Sequence, residues 1–189
     1  IPIINGLSDF SHPCQALADY LTIKEKCADP RSIVLTYIGD GNNVLHSLLI
    51  IMGKMGVSMK VVTPAGYEPN ETVVQRARRY SDENGSLLEF YTNPAEAVVD
   101  ADFIYTDVFV SMGEETEREH KLAAFDGFQV NDELLSRCNK KPLIMHCLPA
   151  HRGEEITDSV IESEQSIVFD QAENRLHAQK GVLYYLLAT

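Results

Sequence analysis

The chain has 189 residues, 44% of them hydrophobic, which is enough to bury the core of one domain and excludes a disordered polypeptide. With 28 acidic against 16 basic residues the formal net charge is −12, the wrong sign for a nucleic-acid partner, although small anionic ligands answer to local charge and stay allowed. No apolar run reaches the ~18 residues of a membrane span, and cysteines 14, 27, 138 and 147 show neither CxxC pairing nor regular spacing, so they read as reduced intracellular thiols.

The sequence opens Ile1-Pro2-Ile3-Ile4-Asn5-Gly6, with no Met and no basic stretch ahead of an apolar one, and reads like the interior of a longer polypeptide. Ser11 is the expected N-cap, and Pro13 the first-turn residue, of a helix through Glu25, on which Leu17, Tyr20, Leu21 and Ile23 fit a 3.6 period. His12 and Gln15 then sit at its positive end. Residues 33–38 read as a buried strand, 43–55 as a helix closed by Gly56, 59–63 as a second strand, and 71–84 as a helix ending at Gly85. Residues 87–91, 93–99 and 103–106 repeat the alternation, and after a charge-rich stretch over 114–121 a fifth strand is expected at 143–145. The last segment, 171–187, has a helical pattern, carries Arg175 near its start, and ends in Val182-Leu183-Tyr184-Tyr185-Leu186-Leu187, an apolar run that needs a surface to cover.

Alternation at these lengths implies parallel strands joined by right-handed crossovers. The expected fold is α/β, a doubly wound, mainly parallel five-stranded sheet with helices on both faces, Rossmann-like, forming one domain over 1–189. Within it 1–30 is a leading segment and helix, and 171–189 a C-terminal helix. If the spatial order is 3-2-1-4-5, the loops starting at Gly39, Asp107 and Cys147 leave neighbouring strands and line one crevice at the switch point, where such sheets hold ligands.

The residues in those loops narrow the chemistry. Gly39-Asp40-Gly41 opening a helix is a partial dinucleotide fingerprint, but Val44 fills the third glycine position and Thr63-Pro64 brings no acid to the second strand end, so a tight turn is the better reading. Asn42 and Asn43 offer amides suited to a small zwitterion, and Asn42 is equally suited to capping the helix. Asp107 can pair with an ammonium group and Ser111 can add a hydrogen bond, the alternative being a local cap. His146 and Cys147, adjacent on a strand, point to opposite faces, which argues against a catalytic dyad. His12, His146, His151 and a cysteine lack metal-ligand spacing. Glu114-Glu115-Thr116-Glu117 reads as a solvated helix face, His46 and His177 as packing or surface residues, and Cys14, Cys27 and Cys138 as structural.

Taken together, His12-Pro13-Cys14-Gln15, Gly39-Asp40-Gly41-Asn42-Asn43, Asp107 through Ser111-Met112-Gly113, His146-Cys147-Leu148-Pro149 and Glu173-Asn174-Arg175 resemble the ornithine carbamoyltransferase family, and specifically its second, amino-acid-binding domain, over essentially the whole chain. The resemblance implies transfer of the carbamoyl group of carbamoyl phosphate to the δ-amine of L-ornithine, giving L-citrulline and phosphate, with no cofactor and no metal. It places His12, Gln15, Cys147, Arg175 and the Leu148 backbone carbonyl around carbamoyl phosphate, and Asn43, Asp107, Ser111 and Met112 around ornithine. Among these, His12, Arg175 and Cys147 are the expected catalytic residues, Cys147 as a polarizable contact or proton-relay partner and not a covalent nucleophile. Imidazole, amide and guanidinium donors aimed at the carbamoyl oxygen would stabilise its developing charge. The family's Ser-Thr-Arg-Thr phosphate loop, carried on its first domain, does not occur in this sequence, so the chain alone is expected to be inactive. The C-terminal helix would pack on that first domain.

The resemblance also implies a homotrimer of full-length chains and a cytoplasmic or mitochondrial setting, with no nucleic acid and no membrane as partner. Two other readings stand beside it. One is a sister carbamoyltransferase for putrescine or acetylornithine, against which Ser111-Met112-Gly113 argues; the other is a non-catalytic amino-acid-binding module.

Overall fold

The computed structural model describes residues 1–110, 116 and 118–188. Its elements are α1 (Pro13–Lys26), β1 (Val34–Ile38), α2 (Asn43–Met55), β2 (Ser58–Val62), α3 (Glu71–Asn84), β3 (Leu88–Tyr91), α4 (Pro94–Ala97), β4 (Phe103–Thr106), α5 (Arg118–Ala124), α6 (Asp132–Leu135), β5 (Leu143–His146), α7 (Asp158–Ile161) and α8 (Val168–Leu187). All strand pairings are parallel and the order is β3-β2-β1-β4-β5, the 3-2-1-4-5 arrangement expected from the sequence.

Two packed layers follow from the alternation of side chains along buried strands. Leu35, Tyr37, Phe103, Tyr105 and Met145 face one way and join Ile23 of α1, Leu45, Leu48 and Met52 of α2, and Val73 and Ala77 of α3. Ile38, Ile104 and Ile144 face the other way, where they meet Ala97, Leu134, Val160 and the stacked Phe109 and Phe125. Register places the site. Ile38 is level with Thr106, and Thr106 with His146, so Gly39, Asp107 and Cys147 emerge side by side at the carboxyl edge.

Helix ends obey local chemistry with two departures from expectation. Asn42 caps α2, its Oδ1 accepting from the N–H groups of Val44 and Leu45, and Gly56 closes that helix in the left-handed region at φ 71°. Ser11 does not cap α1: its hydroxyl accepts from Asn5 Nδ2, and His12 holds the cap position without a side-chain bond. Pro13 does fill the first turn. The last helix begins at Val168, three residues before the expected start, because Ile167 and Val168 drop into the two core layers, one on each face. Arg175 therefore lies two turns in, facing α1.

The first half of α8 is bound to α1 by Lys26 to Asp170 and by Asn174 Nδ2 to Thr22 Oγ1 at 3.0 Å. Its far end is uncovered, with Tyr184, Tyr185 and Leu187 each more than 70% exposed. The Ser111-Met112-Gly113 loop and Glu114, Glu115 and Glu117 lie outside the described residues, while Lys121, at the end of that charged stretch, is buried with its Nζ 2.6 Å from Asp40 Oδ2. No helix among the described residues is long and apolar enough to cross a membrane.

Candidate active site

Asp107, the first residue past β4, is buried and already well bonded. Its Oδ1 accepts from the Val108 N–H at 2.8 Å and from Cys147 Sγ at 3.0 Å, and its Oδ2 from Asn42 Nδ2 at 2.8 Å. Both ends of the Asn42 amide are thereby used, one to cap α2 and the other to hold Asp107, so this residue positions the acid and is not a free zwitterion ligand. Asn43, one residue on, donates from Nδ2 to the Ser8 carbonyl at 2.7 Å. Burial, and after it the Asp107 charge, pushes the Cys147 thiol well above its ordinary range. A protonated thiol that donates to a carboxylate is a poor nucleophile.

His146, just before it, faces the opposite side. Its Nδ1 accepts from the Leu148 N–H at 2.9 Å and its Nε2 meets Glu155 Oε1 at 3.1 Å, which fixes the neutral tautomer with the proton on Nε2. The bond from Leu148 holds that residue at φ 58°, a left-handed conformation uncommon outside glycine, and the Leu148–Pro149 peptide is cis. Donor atoms of Asp107, His146 and Cys147 lie within 4.8 Å of one another, but the hydrogen bonds just given occupy them; His12 joins no such cluster among the described residues.

The second half of the site stands on α1 and α8. Arg175 Nη1 donates to Gln15 Oε1, and with the Gln179 amide oxygen turned inward, Nε and Nη2 donate to it at 3.1 and 3.0 Å. Gln15 in turn donates from Nε2 to Asp19 Oδ1 at 2.8 Å. His12 is held by its backbone N–H on Ser47 Oγ at 2.7 Å, and its ring Nδ1 is buried with no hydrogen-bond partner among the described residues. Burial, and behind it the Arg175 charge, lowers the His12 pKa below the ordinary imidazole value, while the Gly6 backbone and, after it, the Asp107 charge oppose the change. A cleft of about 520 Å³ opens here, lined by His12, Cys14, Arg175 and Gln179 among others.

Of the residues singled out in the sequence, Asp107, Cys147 and Leu148 thus gather at the strand edge, and His12, Gln15 and Arg175 beside it, with Asn43 at the start of α2. Ser111 and Met112 lie outside the described residues. Sequence reasoning missed Asp19, Tyr105 and Gln171. Asp19 is fully buried and accepts from Gln15, from Gln171 Nε2 at 2.7 Å and from Tyr105 hydroxyl at 3.1 Å. The available signal was an acid four residues after Gln15, on the helix face that also carries Ile23.

The sequence profile of "Aspartate/ornithine carbamoyltransferase, Asp/Orn binding domain" matches residues 31–186. An ornithine carbamoyltransferase of Pyrococcus abyssi is 55% identical over 187 residues, covering 99% of this chain and 59% of that protein. The anabolic enzyme of Pyrococcus furiosus is 56% identical over 183 residues, 97% of this chain and 58% of its own length. Among solved structures, ornithine carbamoyltransferase from Pyrococcus furiosus superposes with a TM-score of 0.93 at 55% identity, covering 97% of this chain and 59% of that one. Ornithine transcarbamoylase from Giardia lamblia reaches 0.91 at 31% identity, covering 100% and 64%. The chain spans about three fifths of the length of the curated relatives it matches.

Proposed function

Because the chain belongs to the aspartate/ornithine carbamoyltransferase family, matching its Asp/Orn-binding domain, we propose that the whole protein transfers the carbamoyl group of carbamoyl phosphate to the δ-amine of L-ornithine, giving L-citrulline and phosphate. One observation carries the reading: Arg175, bonded to Gln15, lines a cleft with His12, and Gln15 is joined through Asp19 to Tyr105 of β4, the strand that leads to Asp107 with its Cys147 thiol. The Arg175 set suits a carbonyl oxygen and a phosphate, the Asp107 set an amino acid.

In this reading Arg175, neutral His12 and the Leu148 carbonyl hold the carbamoyl group, and Gln15 accepts from its amide. The guanidinium is a charge-assisted donor to the oxygen on which charge grows. Asp107, with Ser111, takes the α-ammonium of ornithine, and Asn43 and the Met112 backbone take the α-carboxylate. The δ-ammonium loses one proton to solvent, its nitrogen lone pair forms the new C–N bond, the C–O bond breaks with its electron pair leaving on phosphate, and the second proton of the attacking nitrogen passes to that phosphate. Cys147, neutral beside Asp107, contacts the attacking amine without forming a bond to carbon. A buried carboxylate also favours ornithine over acetylornithine, because an acetylated α-amine carries no charge for Asp107 to meet, while putrescine has no carboxylate for Asn43 and the Met112 backbone to hold.

The 189-residue chain alone is inactive on this reading, since it has no Ser-Thr-Arg-Thr segment to cradle phosphate, and the whole protein assembles as a homotrimer. The test is citrulline formation by the whole protein with ornithine, putrescine or acetylornithine as acceptor. Carbamoylation of ornithine well above the other two is expected; preference for either of the others, or no carbamoyl transfer, overturns the proposal.

A further inference from the structure

We propose that Asp19 is a positioning residue of the carbamoyl site, whose carboxylate turns the amide oxygen of Gln15 outward toward Arg175 and that of Gln171 onto the backbone at the start of the Cys147 loop. The inference rests on the functional reading above and adds a residue to it. A carboxylate accepts hydrogen bonds and cannot donate them, so an amide that touches it must present nitrogen. Gln15 and Gln171 both do so, at 2.8 and 2.7 Å on Oδ1, and Tyr105 hydroxyl takes Oδ2 at 3.1 Å. The remaining ends are then fixed. Gln15 Oε1 faces Arg175, where it can accept from a carbamoyl N–H, and Gln171 Oε1 accepts from the His146 N–H at 2.9 Å.

One buried acid thereby ties together α1, α8, β4 and the end of β5, four of the elements that carry the site. An unconstrained glutamine presents oxygen or nitrogen to a ligand with similar ease; only one choice matches the N–H of a carbamoyl group. The cost is visible in the acid itself, since burial raises the Asp19 carboxyl to about 7 against the help of its donors. The charged or titratable groups that bear on it are Arg175 on α8, Tyr105 on β4 and Cys147 after β5.

Steady-state kinetics of the whole protein test this. Asp19→Leu removes the acceptor while keeping a side chain branched at Cγ, and is expected to raise the carbamoyl phosphate KM about tenfold or more while the ornithine KM stays within about twofold, the scale of one lost oriented hydrogen bond. Asp19→Asn still accepts both amides on one oxygen and donates to Tyr105, and is expected to stay within about threefold of wild type at about pH 8. Protonation of the wild-type acid as pH falls through about 7 can place the proton on Oδ2 toward Tyr105, the arrangement that Asp19→Asn has, so the wild-type and Asp19→Asn KM values for carbamoyl phosphate are expected to stay within about threefold of each other across that range. Equal loss in Asp19→Leu and Asp19→Asn, or parallel loss of both substrates, overturns the inference while leaving the proposed activity in place. A wild type without carbamoyl transfer overturns the activity first.

Discussion

Asp107 shows how much one residue's neighbours decide. It lies level with the ends of β1 and β5, and two side chains, Asn42 and Cys147, aim it into the crevice. Asp107→Asn keeps the shape and removes the charge, so it is expected to weaken ornithine by about 100-fold or more, on the scale of about 3 kcal/mol for a buried charged pair, with carbamoyl phosphate little affected; KM values for both substrates check it. Asp19 gives a prediction for stability. Its carboxyl is raised to about 7 in the fold, so its contribution is fully present below the unfolded value near 3.8 and lost as pH rises to about 7. Asp19→Asn is therefore expected to gain stability over wild type as pH climbs from about 4 to about 7, by up to about 4 kcal/mol, and to hold that gain above. Urea unfolding across pH reads it, and a constant difference contradicts it.

Among elements, α2 was the most legible in the sequence because its signals are local: an Asn cap, a thirteen-residue apolar helix and a glycine in the left-handed region at its end. The same locality explains what was missed. Ser11 looks like a cap until the folded leading segment brings Asn5 to its hydroxyl, and the start of α8 depends on Ile167 and Val168 meeting two different core layers. Asn5 is only six residues from Ser11, but it takes the fold of the leading segment to join them, and the core layers that receive Ile167 and Val168 are built from residues far off in sequence. The Asp19 network belongs to this class, since Gln171 and Tyr105 reach it from 152 and 86 residues away. Two element-level outcomes are expected. Asn42→Ala removes a double cap and a partner of Asp107, costing about 1–2 kcal/mol in chemical denaturation. Gly41→Ala is worse placed than an ordinary glycine change, because its Cβ falls 2.4 Å from the Glu68 carbonyl carbon and the Pro69 nitrogen, both backbone; it is expected to cost at least about 1–3 kcal/mol in the same assay.

At the scale of the molecule, strand order could be reasoned from alternation, since parallel strands with helical crossovers allow few arrangements, and that order alone brought Gly39, Asp107 and Cys147 together. What stands uncovered is also ordered by the chain: Ile1, Ile3 and Leu7 of the leading segment, and Leu183, Tyr184, Tyr185 and Leu187 of α8, are exposed apolar residues. A surface of that kind promotes association, so light scattering of the 189-residue chain is expected to show species larger than a monomer; a clean monomer contradicts this. The most direct test of the central claim is citrulline formation from carbamoyl phosphate and L-ornithine, by the 189-residue chain alone and after mixing with a separately produced domain that carries the phosphate loop. Activity is expected only in the mixture. Citrulline from the chain alone would contradict the division of labour, showing that Arg175 and the start of α1 make a sufficient phosphate site without that loop.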